Sequence, residues 1–265
     1  MGRQLRRLRE ESKKTWPEIE AAKVGVRQTI WRIEKAQTRQ LPATVRELCR
    51  IYGASAEQTE ALADLAMRGL AEQALFEDFS DVVPTWFGTY AELEGIANSI
   101  AMYDTTLVPG LLQTPAYARA IFEAAVPRMS AERIERLITS RIQRQKFWFG
   151  DESRGGKVTS VLEEGALARR VGGDQAMEQQ IDHLRTLHQT DQAEIKVLMH
   201  ASGAHAAMES SFILLGFDDP DEPDFAYVES RVGALYHEKE SAFKDYEEVF
   251  RSISQQAIPI EEYAP

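Results

Sequence analysis

The chain has 265 residues, 43% hydrophobic and 28% charged, which excludes a disordered chain. No apolar run approaches the roughly 18 residues that cross a bilayer, so no membrane span is expected. A net charge of −11 argues against nucleic acid until its distribution is read: residues 1–52 carry 13 Lys and Arg against 6 Asp and Glu, residues 53–265 carry 18 against 36. A +7 head on a −18 body is the asymmetry expected when one end alone meets phosphate. The first residues, Met1-Gly2-Arg3-Gln4, hold no apolar h-region. The one cysteine, Cys49, sits in an apolar helical pattern. Both features point to a cytoplasmic protein.

The head reads as five short helices. Leu5, Leu8 and Ser12 form the first stripe, with Arg3, Arg6, Arg7 and Arg9 around it. Thr15 is an N-cap with Pro17 in the first turn and Glu18 as the capping-box acid, and this second helix turns Ile19 and Ala22 inward. Val26, Ile30 and Ile33 give a third helix one apolar face. Pro42 opens a fourth, with Val45, Leu48, Cys49 and Tyr52 on one side and Gly53 as its C′ residue. Ser55 and Gln58 form a capping box for a fifth, which carries Leu62, Leu65 and Ala66.

These elements predict a helix-turn-helix domain over residues 1–69, a linker over 70–85 and a second domain over 86–265. In the second domain helices are expected at 90–98, 115–122, from Ser130 onward, at 164–171, at 174–189 and at 241–257. Strands are expected at 100–107, 158–162, 195–199, 212–217 and 225–228. The fold class is therefore mainly α with an α+β second domain, helices surrounding a small antiparallel sheet.

The third helix carries the function. At about 100° per residue, the face opposite its apolar stripe holds Gln28, Trp31, Arg32 and Lys35, flanked by Arg27 and Thr29. Gln pairs bidentately with adenine, Arg with guanine, and a Thr methyl packs on the thymine methyl. Arg27, Gln28, Thr29, Trp31 and Arg32 are the candidate base readers; Lys14, Lys35 and Arg39 are candidates for phosphate. Periodicity and charge alone are equally compatible with a helical bundle whose basic face is merely solvated. The order of the segments resembles the xenobiotic-response-element, lambda-repressor-like helix-turn-helix family over residues 3–53. Its most specific match is Ile30-Trp31-Arg32-Ile33-Glu34. The stretch Lys23-Val24-Gly25-Val26 departs from that family's usual Leu-Gly-Val-Ser turn. Trp31 stands where the family often has a small or polar residue, and either stacks along the DNA wall or packs on a partner subunit.

The body has landmarks of its own: Trp86, Tyr90, Leu93-Glu94, Leu107-Val108-Pro109-Gly110-Leu111-Leu112-Gln113-Thr114, Arg141-x-x-Arg144-Gln145 and Glu163. They resemble the domain of unknown function that follows the helix-turn-helix in a large actinobacterial family, whose members are described as antitoxin-like transcriptional regulators of a toxin–antitoxin system. The resemblance implies transcription control and a small partner protein encoded nearby. The residues are compatible with two regulators. One is a homodimer on a palindromic operator of double-stranded DNA whose acidic domain senses an unknown small-molecule effector. The other is a protein-interaction module whose DNA binding serves autoregulation.

Residues 107–114 read as a strand end, a Pro-Gly turn and a capped helix start, which is either a rigid corner or an effector pocket built from Pro109, Gln113, Thr114 and Arg119. Arg119, Arg141 and Arg144 are suited to a carboxylate or phosphate, or to ordinary salt bridges. No catalytic residue is assigned, because Glu163-Glu164 reads as a helix start. No metal site or cofactor is expected, because His200 and His205 are spaced so as to miss one helix face and nothing nearby completes a zinc set.

Replacing Arg32 with Ala should weaken operator binding by about 1–3 kcal/mol and relax one base position. An unchanged footprint with that variant would place the reading face elsewhere.

Overall fold

A computed structural model describes residues 1–22, 30, 33–34, 40–77, 85–150, 156–218 and 224–264. It comprises two compact units, Met1–Glu77 and a C-terminal unit over Asp78–Asp218 and Pro223–Pro265.

In the N-terminal unit, α1 (Gly2–Ser12), α2 (Trp16–Ala21), α3 (Pro42–Tyr52) and α4 (Ala56–Glu77) surround one core. Leu5, Ile19, Val45, Leu48 and Cys49 are fully buried in it. Between α2 and α3, Ile30, Ile33 and Glu34 are helical and buried, as the third apolar stripe requires. Val26, the remaining member of that stripe, lies outside the described residues. The caps form for the expected reasons. Ser55 and Gln58 exchange reciprocal hydrogen bonds of 3.0 and 3.1 Å, the Glu18 carboxylate accepts from the Thr15 N–H at 2.7 Å, and Gly53 ends α3 at φ +77°.

One polar interaction ties the helices together. The Arg9 guanidinium donates two bonds to the Glu34 carboxylate, 2.6 and 3.0 Å long, and lies 4.6 Å over the Trp16 ring. Glu34 is 4% exposed, so its charge depends on that partner. Helix α4 runs on to Glu77 and includes residues 70–77, for which the sequence suggests a linker. Ala71, Glu72, Gln73, Ala74 and Leu75 are all strong helix formers, and Gly69 alone does not stop a helix.

The C-terminal unit begins with α5 (Thr85–Ile96) and is built on β1 (Ser99–Asp104), β2 (Lys157–Glu163), β3 (Glu194–Leu198), β4 (Phe212–Gly216), β5 (Phe225–Ser230), β6 (Gly233–His237) and the two-residue β7 (Ile258–Pro259). The α+β class holds, and all five expected strands form. The sheet is larger than expected, and it is mixed rather than antiparallel. Seven strands run in the order β6-β5-β4-β1-β2-β3-β7, with β1–β2 and β2–β3 parallel.

The reason lies in the connections. β1 reaches β2 through α6 (Pro115–Glu123) and α7 (Ala131–Phe149), and β2 reaches β3 through α8 (Glu164–Ala168) and α9 (Asp174–Gln189). Connections of that length are crossovers, which return a strand parallel to its neighbour. Val158 to Leu162 of β2 are buried in succession, the mark of a strand covered on both faces.

Alternation along the strands then sorts side chains to two faces. Tyr103, Val161, Phe212, Leu214 and Ala226 pack on one face against Phe243, Tyr246, Phe250 and Ile253 of α10 (Glu240–Gln256). Met102, Asp104, Ile213, Tyr227 and Glu229 have the opposite parity and point to the other face.

Glu34→Ala should destabilise the N-terminal unit by about 3 kcal/mol in urea or thermal unfolding, the lower end for breaking a buried pair, because Arg9 retains some exposure. A change within a few tenths of a kcal/mol (~0.5) would show the pair to be dispensable.

Candidate functional site

The face of the sheet opposite α10 carries a cavity of about 360 Å³. Its floor is Met102 and Asp104 of β1, Ile213 of β4 and Glu229 of β5. Phe87 and Tyr90 of α5 form one wall, and Leu137, Ser140, Arg141 and Arg144 of α7 another. Pro109, Gly110 and Leu111, the corner between β1 and α6, close it together with Phe122. The apolar lining is therefore interrupted by a few charged groups, the usual composition of a small-molecule site.

The corner is held by side chains from three helices, α6, α7 and α9. Gln145 Nε2 donates to the carbonyls of Gln113 and Gly110, at 2.7 and 3.2 Å. Gln180, fully buried on α9, accepts from the Thr114 N–H at 2.7 Å and donates to the Leu112 carbonyl at 2.8 Å. The Tyr117 hydroxyl accepts from the Val108 N–H at 3.1 Å, and Gln113 Nε2 donates to the Val108 carbonyl at 2.6 Å.

The arginines of α7 differ in kind. Arg144 forms a bidentate pair with the buried Glu94 at 2.9 and 2.6 Å, and lies 4.9 Å over the Phe87 ring. Arg141 has no carboxylate within ion-pair distance among the described residues. Its Nη1 donates to Gln113 Oε1, its guanidinium lies 4.8 Å over the Phe122 ring, and its buried Nε has no hydrogen-bond partner. Burial, and then the charge of Arg144, lower its pKa to about 10, so it remains a cation at neutral pH. Gly110 packs beside it, and a Cβ there would meet Arg141 Nε at 3.4 Å, an ordinary contact.

Across the cavity, burial and then Glu229 raise the Asp104 carboxyl to about 7. Burial also raises Glu229, although Tyr227 and the arginines pull the other way.

The predicted pocket residues divide accordingly. Pro109 lines the cavity. Gln113 is buried and both ends of its amide are used within the fold. Thr114 caps α6, accepting from the Tyr117 N–H, so that helix start is already occupied. Arg119 is not among the cavity-lining residues and pairs on the surface with Glu135. Asp104, Ile213 and Glu229 carried no local signal, because strands remote in sequence bring them together.

The acidic pair Glu163-Glu164 serves the opposite face and the following turn. Glu163 Oε1 accepts from the Tyr103 hydroxyl at 2.7 Å and lies 3.0 Å from His205 Nε2, while Glu164 Oε2 accepts from the His200 N–H at 2.7 Å. Among the described residues no cluster of His, Cys, Asp and Glu is arranged to hold a metal, and no helix is long and apolar enough to cross a membrane.

Residues 87–263 match the domain of unknown function DUF5753, and residues 1–62 match a helix-turn-helix domain. The chain belongs to the DUF5753 family. No curated protein and no solved structure matches it. The cavity lies wholly within the DUF5753 domain, and the helix-turn-helix domain marks the protein as a DNA-binding regulator. Of the DNA-contact candidates, Lys14 is exposed just after α1. Arg27, Gln28, Thr29, Trp31, Arg32, Lys35 and Arg39 lie outside the described residues.

Asp104 also predicts a pH effect. The folded carboxyl keeps its proton up to about pH 7, whereas the unfolded chain releases it near the ordinary value of 3.8. Between those values the unfolded state binds fewer protons, so stability falls as pH rises. Asp104→Asn should flatten this slope and raise the melting temperature at pH 7.5; a parallel pH profile would show that Asp104 does not carry it.

Proposed function

We propose that this protein is a sequence-specific DNA-binding transcription regulator whose acidic C-terminal domain binds a small-molecule effector in the sheet-face cavity. The observation that carries this reading is the lining: a half-buried arginine, Arg141, with no carboxylate partner among the described residues, set in an apolar wall. Buried charges are ordinarily paired, because desolvation costs several kcal/mol (~5) per ion. A cation kept unpaired beside a cavity is suited to receive its partner from outside. Perturbed ionisation at Asp104 and Arg141 in the same cavity supports the reading, since such shifts concentrate at functional sites.

On the DNA side, Arg27, Gln28, Thr29, Trp31 and Arg32 read bases, and Lys14, Lys35 and Arg39 hold phosphates. Two copies occupy a palindromic operator, with recognition helices roughly 34 Å apart, one helical turn. The effector acts by its differential affinity for the DNA-bound and free states.

Selection of genomic fragments on the purified full chain identifies the operator, and native mass spectrometry of protein from its natural host detects a bound small molecule. Ligand-loaded and ligand-free protein should differ about tenfold in operator affinity, within the usual range for coupled sites. Ser140 is a small residue on the cavity wall. Ser140→Phe fills the space and should lose both the adduct and the affinity difference while still binding DNA. An operator affinity independent of loading, with an adduct that survives Ser140→Phe, would sink the effector reading.

A further inference from the structure

We infer that the ligand of this cavity is an amphipathic organic acid, whose carboxylate pairs with Arg141 and whose apolar body lies between Met102, Leu111, Leu137 and Ile213. The inference rests on the effector reading above and adds the chemical class. Three observations lead to it.

The first is charge. Arg144 is neutralised by Glu94 through two short bonds, so its guanidinium is already satisfied in plane. Arg141, three residues earlier on the same helix, meets the neutral amide of Gln113 instead, and its Nε is buried without an acceptor. A planar guanidinium that no carboxylate of the described residues already pairs with selects an acceptor, and a carboxylate most strongly. Asp104 and Glu229 do not cancel it. Neither pairs with it, since no carboxylate of the described residues lies within ion-pair distance of Arg141.

The second is the surroundings of the cation. Phe122 covers it at 4.8 Å, and Gly110 packs beside it. The head-group position is thus defined by Gln113, Phe122 and Gly110 rather than by mobile surface groups. A pre-positioned donor of this kind loses little freedom on binding.

The third is size. The cavity of about 360 Å³ is near the lower end of small-molecule sites, and at the roughly 30 Å³ a water takes it holds about a dozen non-hydrogen atoms. Decanoate and 4-phenylbutyrate are of that size and have one charged head each. An ammonium head is disfavoured beside Arg141, and a neutral alcohol forgoes the charge-assisted bond.

The test is calorimetric titration of the full chain with decanoate, 4-phenylbutyrate, decan-1-ol and decylamine. The acids should bind at least about tenfold more tightly than the alcohol, as a charge-assisted bond in a buried site requires, and the amine should not bind. Arg141→Gln should remove the preference for the acid while leaving the alcohol's affinity in place, and Arg141→Lys should restore part of it. Thermal unfolding establishes that each variant is folded. Ser140→Phe, which leaves Arg141 intact, should exclude every probe and serves if the arginine variants do not fold.

Alcohol binding as tight as the acid's, or acid binding unchanged in Arg141→Gln, overturns the acid class and leaves the effector site standing. Failure of both acids at millimolar concentration, with an adduct still seen in protein from the natural host, also overturns the class alone. Failure of every probe with no adduct removes the site itself.

Discussion

Between β1 and α6 the chain turns inside the C-terminal unit, where Val108, Leu111 and Leu112 are all buried. A buried turn has peptide groups that neither a helix nor a sheet can satisfy, and each one left unpaired would cost about 1–3 kcal/mol. Gln145 from α7, Gln180 from α9 and the hydroxyl of Tyr117 supply the missing partners. Those bonds do more than satisfy the turn. They fix α7 and α9 relative to the end of β1, and so decide which residues of α7 face the sheet. The glutamine amide suits this task because it offers a donor and an acceptor without a charge to desolvate. The reading of this stretch as a rigid corner and its reading as a pocket wall are two sides of one arrangement: the polar groups of Gln113 and Thr114 hold the turn, and the carbon surface of Pro109, Gly110 and Leu111 faces the cavity.

The treatment of charge in that cavity follows from the same geometry. Glu94 sits on α5 where it meets Arg144 through two parallel bonds, and that pair, stacked on Phe87, closes one wall without leaving a net charge. Arg141 lies one helical turn earlier and faces the corner, whose available acceptor is neutral. Low local polarity strengthens every electrostatic interaction made there. The same low polarity favours the protonated forms of Asp104 and Glu229. Around an apolar space the domain therefore sets the closed Arg144–Glu94 pair, Arg141 with a neutral partner, and two carboxyls that burial pushes toward protonation.

In the N-terminal unit the most specific sequence match, Ile30-Trp31-Arg32-Ile33-Glu34, has an inner side that is structural. Ile30 and Ile33 enter the core, and Glu34 anchors Arg9 of α1. Several arginines of the head are also paired, one of them with Glu60, which lies outside the stretch that carries the +7 balance. Arg6 pairs with Glu10, Arg46 with Glu60 and Arg50 with Glu47, all on the surface. Such exposed pairs are weak and exchange readily with phosphate, so they tune the field without removing it.

Local chemistry made much of this legible. Helix starts at Thr114, Ser130 and Ser55 and the stop at Gly53 follow from caps that act within four residues. The inward stripes of the head follow from a period of about 3.6 residues. The five main strands showed themselves by composition. Strand pairing did not, because the direction of β2 beside β1 depends on a long crossover that returns through two helices, a relation no short window contains. The strands β6 and β7 escaped because pairing with a neighbour, more than composition, makes them strands. The cavity is the clearest case. Glu94, Arg141 and Arg144 stood out as residues, yet their division into a closed pair and an open cation was decided by which side chains the fold brings within 3 Å of each other (Glu94 to Arg144 at 2.6 and 2.9 Å, Gln113 to Arg141). Sequence by itself determined a basic helical head and an α+β body, since propensity, capping and net charge are local or additive. Tertiary structure decided where an unpaired charge meets an apolar space, because that depends on distances between residues far apart in the chain.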